Sequence, residues 1–327
     1  MAFRMPGRSF RIKAFKIAFA IAAIVLIWRL NIINATTIGR IFAQPLAAAL
    51  AVLTLAIGIQ LSVVRWYILL KVHGQAVSLG RLTNIVFTSY FLGSTTFGTL
   101  GVDALRLYYI GQERHDSVGQ AYLSIAADRM IGLFGLIAAG AIFFAWDYNE
   151  VVRHGEMKYL ALLSLLIGAG LVLVTILIAI FDRFVAPILQ RVRPFARLRT
   201  HFNLLVHYYS NAPGSIGLCI AVSIAIQFFN LASLLILAEA ILNPSLSFSQ
   251  LGLAGVMTTI ANQVPFTAGG LAIGETLFSY LCRLMDPVNV TSDYGSIVFL
   301  QRLAALVAVS PGLVFFMLSG KRRLDVQ

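Results

Sequence analysis

Asp128 and Arg129 stand side by side in an otherwise apolar run, Ile125-Ala126-Ala127-Asp128-Arg129-Met130-Ile131-Gly132-Leu133. A planar guanidinium binds phosphate through two parallel N–H groups; a carboxylate binds cations or carries protons. An unpaired charge at the centre of a bilayer costs about 2.5–3.5 kcal/mol on insertion scales, so both residues need partners. Adjacent residues on a helix point in different directions and cannot simply neutralise each other. Asp103, Arg106, Glu275 and Arg302 are the partners the sequence offers. Two roles stay open: a structural ion pair that locks helices together, or an arginine that faces a substrate anion, for which a lipid phosphate is the natural candidate.

The same device is written twice. Phe97-Gly98-Thr99-Leu100-Gly101-Val102-Asp103 and Phe266-Thr267-Ala268-Gly269-Gly270-Leu271-Ala272-Ile273-Gly274-Glu275 are Gly/Thr-rich breaks, each with an acid just after it. Each acid is followed by an arginine inside an apolar segment, Asp103 by Arg129 after 26 residues and Glu275 by Arg302 after 27. The glycines Gly98, Gly101, Gly269, Gly270 and Gly274, with Pro265, suit a tight turn whose free amides can hold an anion. Asp103 and Glu275 are expected to begin helices, where an acid also favours the helix dipole. Arg302 either faces the same pocket or extends its head to the outer surface.

These residues need a scaffold that crosses a membrane. Of 327 residues, 59% are hydrophobic and 12% charged, where a soluble domain carries about a quarter charged. Full spans are expected at 14–30, 41–63, 118–144, 158–181, 214–240 and 295–318, each near the ~20 residues a crossing helix needs. Regions 82–117 and 250–285 are apolar but broken by the two motifs, and read as hairpins. With the N-terminus in the cytoplasm, most of the 25 Lys and Arg fall on that side: in 1–16, in 64–81 (Arg65, Lys71, Arg81), in 182–213 and in 321–323, with Arg106 and Arg114. Asp147, Glu150, Glu156, Asp286 and Asp293 fall in outer loops. The expected fold is an all-α polytopic membrane domain with six full spans, two broken-helix hairpins and both termini cytoplasmic. Residues 14–144 and 158–318 form two inverted repeats, and such repeats place a site at the midplane where broken helices meet.

Other features read as membrane architecture. Segment 182–213 is a basic cytoplasmic elbow at the lipid headgroups. Trp28, Trp66 and Trp146 sit near span ends, as aromatic belts do. Cys219 and Cys282 read as small core residues. The net charge of +12 is topological, since no basic domain exists to hold a nucleic acid. There is no Walker motif, GxSxG, HExxH or CxxC, and no metal spacing among the histidines, so neither a cofactor nor a metal is implied.

At Gly101-Val102-Asp103-Ala104-Leu105-Arg106, Asp128-Arg129-Met130-Ile131-Gly132-Leu133 and Thr267-Ala268-Gly269-Gly270-Leu271-Ala272-Ile273-Gly274-Glu275, the chain resembles the lysylphosphatidylglycerol synthase transmembrane-region family. The resemblance covers roughly residues 40–320. It implies an integral bacterial or archaeal membrane protein, similar to the flippase half of aminoacyl-phospholipid synthases and to stand-alone relatives near glycolipid or hopanoid pathways. Against that pattern, no C-terminal aminoacyltransferase domain is read in this sequence, so synthesis of the lysyl-lipid is not expected of it. It also reads Ala272-Ile273-Gly274-Glu275 where the family often has an arginine before the acid, which shifts phosphate contact to Arg106, Arg129 and Arg302.

The resulting expectation is a lipid translocase of the cytoplasmic membrane, not an enzyme. Arg106, Arg129 and Arg302 would hold phosphate, and Asp103, Asp128 and Glu275 would bind cationic headgroup parts or protons. The cargo would be a phospholipid, an aminoacyl-lipid or a lipid-linked sugar. The alternatives are an ion-coupled transporter of small solutes and a non-catalytic partner of a lipid synthase or glycosyltransferase.

Overall fold

The structure, a computed structural model, describes residues 35–72, 74–75, 77–96, 99–113, 118–146, 148–149, 159, 162, 166, 212–242, 244, 246–262, 273–286 and 293–324. The described residues are helical throughout, with no strand. A short lead-in (Ala35–Gly39 and the 3-10 turn Arg40–Ala43) precedes α1 (Pro45–Val72), α2 (Leu79–Thr96), α3 (Thr99–Glu113) and α4 (Val118–Trp146). Then come α5 (Pro213–Ile241), α6 (Phe248–Asn262), α7 (Ile273–Met285), α8 (Tyr294–Val309) and α9 (Pro311–Leu324).

Four segments are long and apolar enough to cross a bilayer: Pro45–Val72, Ala121–Trp146, Pro213–Ile241 and Tyr294–Met317, with mean hydropathies of 2.2, 1.8, 2.2 and 1.9. Pro45 and Pro213 start their helices at positions where the missing N–H costs nothing. Only 28–39% of each apolar window is buried within the protein, so most of it faces outward, as a lipid-exposed surface requires. The expected spans 14–30 and 158–181 and the elbow 182–213 lie outside the described residues, apart from scattered positions. The last span is interrupted by one turn at Ser310, where Pro311 has no amide to donate.

The two long helices α1 and α5 pack against each other along the centre. Around them the packing has a two-part pattern. α4 lies on α1 and α5, and α8 lies on α5 and α1. α2 pairs with α3 and α3 with α4; α6 pairs with α7 and α7 with α8. Thus the order span, broken pair, span occurs twice, with matching neighbours. α9, which continues the last span, packs on α2, and α4 packs in the same way on α6.

Four expectations are corrected. The span placed at 41–63 runs on to Val72, so Arg65 lies inside a helix rather than in a cytoplasmic loop, and it is 8% exposed. The helix continues because Trp66-Tyr67-Ile68-Leu69-Leu70 extends the apolar run and a buried acid meets the charge. Trp66 is fully buried rather than at an interface. Asp103 does not begin a helix: α3 starts at Thr99, which puts Gly101 and Asp103 inside it. Asp286, expected in an open outer loop, is 2% exposed and accepts the Tyr294 hydroxyl proton at 2.6 Å.

Candidate functional site

Asp128 is the eighth residue of its span and 3% exposed, so it must be neutralised by the protein. Two arginines do this. Arg65 Nε donates to Asp128 Oδ1 at 2.6 Å, and Arg106 Nη1 donates to Oδ2 at 3.1 Å. Three elements converge to make the contact: α1 carries Arg65, α3 carries Arg106 and α4 carries Asp128. A fourth, α5, supplies Ser223, whose Oγ accepts from Arg65 Nη1 at 2.8 Å and itself donates to the Cys219 carbonyl at 2.8 Å.

Glycine makes room for this convergence. A methyl group at Gly135 of α4 would collide with Cβ of Ser223, and one at Gly132 would stand 3.1 Å from Arg65 Nη1. Small residues of this kind let membrane helices approach closely enough for buried side chains to meet.

The cluster is not electrically balanced. Two guanidiniums meet one carboxylate, which leaves, among the described residues, one positive charge in excess. Part of it is offset by aromatic faces: the Arg106 guanidinium carbon lies 5.0 Å from the Trp66 ring centroid and 5.4 Å from that of Tyr90. Trp66 is fixed in turn by its indole N–H, which donates to Ser124 Oγ at 3.1 Å. Arg106 is 2% exposed, yet its Nε and Nη2 have no hydrogen-bond partner among the described residues. Those two nitrogens form the side-on edge of the guanidinium, the fork that binds a phosphate or carboxylate through two parallel bonds.

The two acid–arginine spacings read from the sequence are both realised as contacts. Arg129 Nε donates to Asp103 Oδ2 at 2.6 Å, with side-chain exposures of 40% and 20%. Arg302 Nε stands 2.7 Å from Glu275 Oε1, with exposures of 27% and 0%. Arg302 therefore does not simply extend to the surface. The Glu275 half also holds a cavity of about 160 Å³ lined by, among others, Gln227, Asn230, Thr258, Asn262, Gln301 and Arg302.

The two halves carry different chemistry at matching positions. Asp128-Arg129 on α4 corresponds to Gln301-Arg302 on α8, and Asp103 with Arg106 on α3 corresponds to Glu275 with Phe278 on α7. Asp128 reaches Arg65 on α1; Gln301 Nε2 donates to the Asn230 carbonyl on α5 at 2.7 Å. Charge in one half is replaced by carboxamide or phenyl in the other. Among the described residues the two broken pairs do not pack extensively on each other.

The model of the family described as "Lysylphosphatidylglycerol synthase TM region" matches residues 15–312 of the 327. The chain belongs to that family. It is accordingly a multi-pass membrane protein of a family tied to membrane-lipid metabolism or transport. No curated protein and no solved structure matches it.

For this family member, the sequence anticipated Asp103, Arg106, Asp128, Arg129, Glu275 and Arg302, and the structure makes every one of them part of an ion pair. It did not anticipate Arg65, Ser223 or the carboxamides. The signal for Arg65 was the apolar stretch on its C-terminal side, which made a loop implausible. Of the backbone positions, Gly101 is the third residue of α3 and Gly274 the second of α7. Gly98, Pro265, Gly269 and Gly270 lie outside the described residues.

Proposed function

We propose that the chain is a lipid translocase of the cytoplasmic membrane in which the Arg106 fork takes the phosphate of a passing headgroup. The observation that carries this reading is the Arg65–Asp128–Arg106 cluster, which buries one more cation than anion and leaves one guanidinium edge unoccupied. A cluster built only to lock helices is more stable with its charges matched, because an uncompensated buried ion costs several kcal/mol. An excess cation is useful where an anion must be desolvated on its way through. Asp128 and Arg65 then act as positioning residues: they hold Nη1 of Arg106 and aim the other edge.

The paired halves, 14–144 and 158–318, are in this reading inverted repeats, and rocking of one against the other exposes the α3–α4 cluster to each side in turn. Both termini face the cytoplasm. The chain performs no covalent chemistry on the lipid. It moves the headgroup while the acyl tails stay in the bilayer.

The test is translocation in proteoliposomes. Purified chain is reconstituted with a trace of headgroup-labelled phosphatidylglycerol, and the label exposed to an added impermeant reductant is followed over time. Wild type is expected to raise the exchange rate well above empty vesicles. Arg106→Lys keeps the charge but loses the fork, and is expected to lower the rate at least tenfold while eluting as a folded protein. Folded wild type that moves no phospholipid sinks the proposal and favours a non-transporting partner role. Equal rates for wild type and Arg106→Lys remove the fork from it.

A further inference from the structure

The cavity in the second half differs in kind from the charged cluster. It places four carboxamides (Gln227, Asn230, Asn262, Gln301) around one space, with the Thr258 hydroxyl and the Arg302 guanidinium. At about 160 Å³ it exceeds several-fold the ~30 Å³ a single water occupies in the liquid. Two of its polar atoms are buried and unpartnered among the described residues: Thr258 Oγ1, on a residue 3% exposed, and Asn262 Oδ1. A buried polar atom without a partner costs roughly 1–3 kcal/mol, so these two mark where a ligand's groups belong.

The chemistry of the lining narrows the ligand. Carboxamides and hydroxyls each donate and accept, which matches groups that also do both, namely alcohols. A cationic headgroup would need a carboxylate or an aromatic cage, and neither is among the described lining residues. The break that follows Asn262, residues 263–272, contains no acid either. Glu275, which pairs with the lining residue Arg302, is 0% exposed.

One helix, α5, contributes to both the cavity and the charged cluster. Ser223, Gln227 and Asn230 fall at i, i+4 and i+7 on α5, one face of the helix. Ser223 holds Arg65 at one end, and Asn230 and Gln227 line the cavity at the other. Seven residues at ~1.5 Å each put the two about 10 Å apart along the helix. Packing around Gly274 is tight: a methyl group there would stand 2.7 Å from Asn262 Nδ2 and 3.1 Å from Arg302 Nη2.

We infer that this cavity is a headgroup-selecting site for the hydroxyl-rich, uncharged part of a polyol-bearing phospholipid, separate from the phosphate-binding fork at Arg106. The inference rests on the translocase reading and adds the substrate class. Its physical content is that selectivity comes from pairing Thr258 and Asn262 with alcohol groups, since a site built for hydroxyls rejects ligands that lack them.

The experiment is competitive lipid retention by the full chain. Detergent-purified protein is exchanged into mixed micelles holding equal amounts of phosphatidylinositol, phosphatidic acid and phosphatidylethanolamine, and the lipids that stay bound are quantified by native mass spectrometry. The expected result is at least a tenfold preference for phosphatidylinositol over phosphatidic acid and no preference for phosphatidylethanolamine. Asn262→Ala and Thr258→Val, each checked for folding by elution profile, are each expected to cut the phosphatidylinositol-to-phosphatidic acid ratio severalfold; either variant alone suffices if the other misfolds. Wild type that retains phosphatidic acid as well as phosphatidylinositol, or a ratio unmoved by the variants, overturns the inference and leaves the translocase reading standing. Retention of no phospholipid overturns both. A preference for the amine-bearing lipid overturns the inference alone.

Discussion

At the scale of single residues, Asp128 and Asp103 separate two kinds of ion pair. Asp128 serves two arginines at 3% exposure, so Asp128→Ala strands two cations. Removing one partner of a buried pair typically costs 3–5 kcal/mol. The Arg129–Asp103 pair is 40% and 20% exposed and joins one cation to one anion, so Asp103→Ala strands a single, less buried arginine. Thermal unfolding in detergent is therefore expected to drop far more for Asp128→Ala than for Asp103→Ala, and equal drops would contradict the assignment of Asp128 as the buried hub. The acid–arginine pairs were legible because charge in an apolar run demands a partner. Arg65 was not, because counting arginines by side treats any arginine at the edge of an apolar run as topological. Its partner lies 63 residues away, and the one local signal was the apolar stretch that follows Arg65. The carboxamides were hidden for a different reason: uncharged groups carry little insertion cost, so they leave no anomaly to notice.

At the scale of elements, the order span, broken pair, span was readable from hydropathy and from the glycine breaks. The boundaries were less so. α1 outran its expected end because a paired arginine no longer ends a span, and α3 began four residues before Asp103 because Thr99 to Val102 are helical despite Gly101. Helix contact depends on small residues that sequence alone does not single out among 26 glycines. Gly135 is one of the decisive positions, since α4 and α5 meet there against Ser223. Gly135→Val is expected to push α4 off α5 and to loosen Arg65 from Ser223 and Asp128 together. Protein yield and melting temperature should both fall, whereas Gly214→Ala, with open space around it, should leave them unchanged. A Gly135→Val protein as stable as wild type would mean that this close approach does not hold the cluster.

At the scale of the whole molecule, the two halves share a plan and divide the chemistry. One half buries an excess cation at Arg65, Asp128 and Arg106; the other has Gln301 where the first has Asp128, Phe278 where it has Arg106, and the Glu275–Arg302 pair beside a carboxamide-lined cavity. In the proposed reading the two frames divide the work: charge handles phosphate, and amides handle hydroxyls. The central claim is that a lipid phosphate meets the Arg106 fork inside the protein. The most direct measurement is nitrogen-15 to phosphorus-31 distance recoupling by solid-state NMR, on arginine-labelled chain in phosphatidylglycerol liposomes. The account predicts a guanidinium–phosphorus contact at hydrogen-bonding range that persists when surface lipid is exchanged and disappears in Arg106→Lys. Identical recoupling in the two proteins would contradict it.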